Sequence, residues 1–153
     1  MKQKTICFTG HRNLEHSEKE IKARLSTYIE SFIKNDYTHF IVGGALGFDM
    51  LVAELLIELK NEFPRITLEI AIPCLDHTLR WNKSQKERYD NILQNADTKT
   101  LITQTYNIYS YQLRNKYMVN HSDIVIAYYN GKPSGTKNTI CYTKKQGKEI
   151  FYI

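Results

Sequence analysis

Short runs of apolar residues alternate along the chain with longer segments in which apolar positions recur every three or four residues. Thr5-Ile6-Cys7-Phe8-Thr9 is such a run and stops at Gly10, which predicts a first strand. Ser17 and Glu20 then form a Ser-x-x-Glu capping pattern. Behind it Ile21, Leu25, Tyr28 or Ile29, and Phe32 keep helical spacing to about Lys34. His39 to Val42 reads as a second strand ending at Gly43-Gly44. Phe48 to Lys60 reads as a helix whose Leu51, Leu55 and Leu56 imply deep burial. Thr67 to Ile72 predicts a third strand ending at Pro73, Lys83 to Asn95 a polar helix, and Lys99 to Thr103 a fourth strand. Tyr111 to His121 predicts a helix, Asp123 to Ala127 a buried strand, and Thr136 to Gln146 a last helix capped by Gly147. Glu149 to Ile153 ends the chain as a strand.

Apolar strands separated by helices imply βαβ units. The expected fold is α/β: a Rossmann-like three-layer sandwich with a mostly parallel central sheet. No linker, repeat or low-complexity tract interrupts it, so residues 1–153 read as one domain.

Composition narrows the picture. With 42% hydrophobic and 24% charged residues, a packed core is expected rather than disorder. The net charge of +5 favours anionic partners without choosing among them. Much of the charge sits in mixed stretches such as Glu18-Lys19-Glu20-Ile21-Lys22, which read as solvated helix surface. The cysteines, Cys7, Cys74 and Cys141, have no CxxC spacing, so neither a disulfide framework nor a zinc knuckle is expected. Cys7 and Cys141 lie in apolar stretches and read as core cysteines. Met1-Lys2-Gln3-Lys4 carries no signal-peptide pattern, and no apolar run approaches the ~20 residues of a membrane span. A cytoplasmic protein without a membrane partner is the expectation.

The candidate chemistry lies where strands end. Thr9-Gly10-His11-Arg12 follows the first strand and Gly43-Gly44-Ala45-Leu46-Gly47-Phe48-Asp49 the second. Pro73-Cys74-Leu75-Asp76 follows the third, and Gly131 through Thr136 follows the Asp123–Ala127 strand. In an open parallel sheet these ends share one edge, where ligands bind at the switch point. The run from Gly43 to Gly47 leads straight into a helix, so backbone N–H groups and the positive end of the helix dipole suit a phosphate. The spacing is neither GxGxxG nor a Walker loop. Asp49 could touch a ribose hydroxyl, order the loop or cap the helix. His11 and Arg12 could bind phosphate or a base. Ser134-Gly135-Thr136 could form a second phosphate cradle or a plain helix cap. Arg114 could reach the cleft and hold an anion, or lie on a helix surface. Trp81, beside Arg80 and near Arg88, could stack on a base or serve packing.

Cys7-Phe8-Thr9-Gly10-His11-Arg12, Gly43 through Asp49, Arg114-Asn115-x-Tyr117-Met118 and Ser134-Gly135-Thr136, in this order, resemble the YpsA-like branch of the SLOG superfamily. That superfamily also holds DNA-processing protein A and the LOG enzymes. The resemblance implies a Rossmann-like nucleotide-binding fold and a role in ligand sensing. LOG enzymes cleave the N-glycosidic bond of nucleoside monophosphates with a glutamate that follows a Gly-Thr pair. Here Thr139 stands in that place, and a threonine cannot act as a carboxylate.

The leading expectation is therefore a nucleotide-binding or sensing protein whose ligand is a nucleoside phosphate or an ADP-ribose-like molecule. No cofactor or metal is expected, and a homo-oligomer is compatible with the reading. A nucleotide N-glycosidase, with Asp49, Asp76 or Glu54 replacing the glutamate, is one alternative. A nucleic-acid-binding module is another, against which stands the lack of a dense basic stripe with interleaved aromatics.

Overall fold

The computed structural model describes residues 3–153, so Met1 and Lys2 of the expected opening segment lie outside the described residues. Six strands and five helices alternate: β1 (Lys4–Gly10), α1 (Glu18–Lys34), β2 (Tyr37–Val42), α2 (Phe48–Glu62), β3 (Thr67–Ile72) and α3 (Lys83–Asn95) come first. β4 (Thr98–Leu101), α4 (Ser110–Asn120), β5 (Ile124–Tyr128), α5 (Gly135–Lys145) and β6 (Glu149–Tyr152) complete the chain. The strands form one sheet in the order β4-β3-β2-β1-β5-β6, and every pairing is parallel. The strand order grows one way from β1 to β4 and the other way from β5, so the switch point lies between β1 and β5, where Gly10 pairs with Tyr128.

Strand alternation sorts the core into two layers. Ile6, Phe8, Phe40, Val42, Leu68, Ile70, Ile124 and Ile126 pack with the apolar faces of α1, α2 and α3. Their neighbours Cys7, Ile41, Ala71 and Val125 face Met118 and Val119 of α4, with Tyr142 of α5 packed alongside. The second layer is thinner and holds the buried polar residue Glu69. His39 Nε2 lies 2.7 Å from its carboxylate, which also accepts from Tyr117 Oη at 2.6 Å and Thr100 Oγ1 at 2.7 Å. Glu69 thereby joins β2, β3, β4 and α4.

Local details depart from expectation at several points. In α1 the buried stripe is Ile21, Leu25, Ile29 and Ile33, while Tyr28 is exposed and Phe32 half-buried. Ser17 accepts the Glu20 amide at 3.1 Å, yet the reciprocal capping box occurs at α3, between Asn82 and Gln85. Cys141 is exposed rather than in the core. The helix α5 buries Thr136, Thr139, Ile140 and Thr143, a stripe at helical spacing that turns position 141 outward. Gly147 ends α5 as expected: at φ 69° its amide bonds Lys144 O while Lys148 N bonds Thr143 O at 3.1 Å.

Candidate functional site

The loops after β1, β2 and β5 meet at the carboxyl edge of the sheet around a cleft of about 310 Å³. Thr9, Gly10, His11, Arg12, Ala45, Asp49, Arg114, Ser134, Gly135 and Thr136 line it, joined by Phe8, Tyr111, Asn115 and Met118. Gly43, Gly44 and Gly47 do not line it. They stand behind the wall and set its shape.

Gly47 is the N-cap of α2 with φ 84° and ψ −121°. A Cβ there would lie 2.1 Å from the carbonyl oxygen of Arg12, so two backbones touch at this point. The neighbouring Phe48 amide bonds His11 O at 3.2 Å, which locks the β1 loop onto the start of α2. Gly43 makes room in the other direction. Its carbonyl accepts from Arg114 Nη1 at 2.5 Å, and a Cβ there would sit 2.8 Å from the same nitrogen. Gly44, at φ 70°, backs onto Tyr89 and Ile70.

Arg114 is the central group. It is not a surface residue: only 5% of it is exposed. It descends from α4, bonds Gly43 O, and places Nε 2.9 Å from Asn115 Oδ1. Its guanidinium lies over the Tyr111 ring at 5.6 Å. Burial lowers its pKa, partly offset by the charge of Asp49, but a guanidinium stays protonated in any case. Arg114 lines the cleft, and its Nη2 makes no hydrogen bond among the described residues.

Asp49 does not cap α2 in the usual position. It reaches back one turn, and its Oδ2 accepts the Ala45 amide at 3.2 Å, so it orders the loop. Burial raises its pKa from 3.8 to about 6, against the lowering effects of Arg114, the Ala45 amide and Arg12. Ser134 is the N-cap of α5 and accepts the Lys137 amide at 3.3 Å. The Gly135 and Thr136 amides and the Thr136 hydroxyl have no acceptor or donor of their own among the described residues. They face the same space as Arg114.

His11 lines the cleft and also has an architectural role. The Asn130 amide donates to its Nε2 at 3.0 Å, which straps the β5–α5 loop to the β1 loop. Arg12 is exposed and has neither a hydrogen bond nor an ion pair among the described residues. Thr139 does not line the cleft, and its hydroxyl donates to Gly135 O at 3.0 Å. Glu54 is held by Arg88, with Nη2–Oε1 at 2.5 Å, and lies outside the cleft. Trp81 is buried edge-on against His77 and Tyr89. Tyr111 was not marked out by the sequence reading, because nothing distinguishes a cleft tyrosine from the other ten in this chain.

The two buried carboxylates impose opposite pH dependences. Burial alone would raise Glu69, but hydrogen bonds from His39, Tyr117 and Thr100 bring it from 4.5 down to about 2. Its folded pKa is below its unfolded one, so its stabilisation is complete above about pH 4.5 and is lost as pH falls toward 2. Asp49 is the reverse: the folded form holds its proton more tightly, so the domain loses stability as pH rises from about 4 to about 6. Asp49→Asn should remove that loss and stabilise the protein at pH 7 by on the order of 2–3 kcal/mol. Urea denaturation of both proteins at pH 4 and pH 7 measures it. An equal stability difference at the two pH values would contradict the buried-carboxylate account.

Among the described residues no cluster of His, Cys, Asp and Glu could hold a metal, and no helix is long and apolar enough to cross a membrane. The model of the YspA SLOG family matches residues 6–152. A UPF0398 protein of Staphylococcus epidermidis is 32% identical over 137 residues, 83% of this chain and 73% of the relative. The SPbeta prophage-derived protein YoqJ of Bacillus subtilis is 32% identical over 139 residues, 82% of this chain and 81% of the relative. Among solved structures, DNA processing protein A of Helicobacter pylori, described for its single-stranded DNA binding, superposes with a TM-score of 0.68 at 21% identity. That of Streptococcus pneumoniae gives 0.69 at 16%. Almost the whole of this chain is covered, but it spans only 64% and 50% of those chains, and at such identities the likeness is one of fold.

Proposed function

The chain belongs to the YspA SLOG family, and on that premise we propose that its cleft binds the phosphate group of a nucleotide as a sensing rather than a strongly catalytic site. The observation that carries the reading is the convergence of unmet donors. Arg114, Gly135 and Thr136 line one cavity, and Arg114 Nη2, the Gly135 and Thr136 amides and the Thr136 hydroxyl have no protein partners among the described residues. A phosphate meets that set with charge-assisted bonds at a helix N-terminus. Arg12, unpaired at the rim, adds a second cation. The nucleoside end then lies toward Asp49, whose free oxygen suits a ribose hydroxyl.

Within this cleft the carboxylates give no support to catalysis of the LOG type. Asp49 is the acidic residue lining the cleft, and it is committed to the Ala45 amide. Thr139 carries no charge and is turned to Gly135 O.

Calorimetric titration with AMP and inorganic phosphate tests the reading. Both should bind, and Arg12→Ala should weaken both by a few-fold, since a rim charge is solvent-screened. Failure of both ligands to bind at millimolar concentration would overturn it.

A further inference from the structure

A second cavity, of about 550 Å³, opens beside the first and shares Arg12 and Tyr111 with it. Two loops build it. The residues after β3 fold into successive tight turns, with Leu79 N on Asp76 O and Trp81 N on Thr78 O. The residues after β4 bring Tyr106. The loops are tied together by Leu75 N to Gln104 O at 3.2 Å and by Thr103 Oγ1 to Pro73 O at 2.6 Å. The compartment is thus braced rather than loose.

Its walls differ in kind from those of the first cleft. Trp81 forms the floor, fixed edge-on against His77 and Tyr89 at 5.3 and 5.4 Å. Burial, then the charge of Arg114, lowers the His77 pKa to about 4, so this aromatic floor is uncharged at neutral pH. Tyr106 stands 57% exposed at the mouth, 6.4 Å from the ring of Tyr111. Leu79 is 72% exposed on the facing loop. Asp76 and Arg80 supply an acceptor and a donor, and Arg80 makes no hydrogen bond or ion pair among the described residues. The first cleft offers donors for an anion. The second offers flat apolar faces and a few polar groups, which fit a planar heterocycle.

We propose that the two cavities are one bipartite site, in which the phosphate and ribose occupy the first and the nucleobase passes Arg12 and Tyr111 into the second, against Tyr106. This rests on the phosphate reading above and adds the residues that select a base-bearing ligand over a sugar phosphate.

The test compares AMP, ribose 5-phosphate and inorganic phosphate on the wild-type protein and on Tyr106→Ala, Tyr106→Phe and Arg80→Ala. Both positions are exposed, so the variants should fold. AMP should bind at least about fivefold more tightly than ribose 5-phosphate, because stacking on one aromatic residue contributes roughly a five- to hundredfold gain. Tyr106→Ala should erase most of that margin while leaving ribose 5-phosphate unchanged, Tyr106→Phe should keep it, and Arg80→Ala should reduce it. Equal binding of AMP and ribose 5-phosphate overturns the inference and leaves the phosphate reading standing. So does a margin that survives Tyr106→Ala and Arg80→Ala, or a Tyr106→Ala loss that falls equally on both ligands. Absence of binding by any of the three, inorganic phosphate included, overturns both.

Discussion

Gly47→Ala is expected to lower the melting temperature by at least about 4–8 °C and to abolish nucleotide binding. The residue sits at φ 84°, where an L side chain costs about 1–3 kcal/mol. The added Cβ would also lie 2.1 Å from Arg12 O, a backbone atom that cannot rotate away. Relief requires the β1 loop to separate from the start of α2, and that movement breaks the Phe48 N to His11 O bond. A loss of about 2 kcal/mol or more follows, which for a chain of this length corresponds to the stated shift. At ψ −121° the residue lies outside the left-handed helical region that asparagine tolerates, so Gly47→Asn should be as damaging as Gly47→Ala. Wild-type melting and AMP affinity in Gly47→Ala would refute the account.

Arg114→Ala should cost both stability and binding. The substitution removes a charge-assisted bond to Gly43 O and the largest charge that lowers the Asp49 pKa. Asp49 is then pushed further above its ordinary range and becomes more protonated at neutral pH. Phosphate affinity should fall roughly ten- to hundredfold, the equivalent of about 1.5–3 kcal/mol for a bond to a charged group. Burial of the side chain adds the stability cost, because Gly43 O is left without its partner. Adding Asp49→Asn to Arg114→Ala should recover part of the stability, since it removes the uncompensated charge, without restoring phosphate binding. Thermal melts and AMP titrations on the single and double variants measure the two effects apart. Recovery of binding in the double variant would show that Arg114 acts through Asp49 and not on the phosphate.

The order of elements is legible in the sequence. Lys83–Asn95 and Thr67–Ile72 emerged with the expected bounds, because spacing of apolar residues and flanking Pro, Gly and Asn are local properties. The parallel sheet followed from alternation, and the convergence of loops from the parallel sheet. What misled was equally specific. Cys141 sits in an apolar-looking stretch, yet one residue of phase on a helix turned it to solvent. Arg114 was legible as a residue that could reach the cleft, but not its burial or its bond to Gly43 O. Only the packing of α4 against the sheet places it against a glycine carbonyl.

The chain by itself therefore determined which segments are strands and helices, that the sheet is parallel, and which loops share its edge. Each of these depends on residues close together in sequence or on a general rule of chain connection. The tertiary structure decided what each loop residue faces. It set Gly43 and Gly47 at close approaches behind the cleft wall, strapped His11 to Asn130, buried Arg114 against Gly43 O, and set Tyr106 and Tyr111 beside Arg12. Those outcomes are contacts between groups as much as 119 residues apart, as His11 and Asn130 show. They depend on distances of a few ångström between packed elements, which no local pattern of residue types encodes.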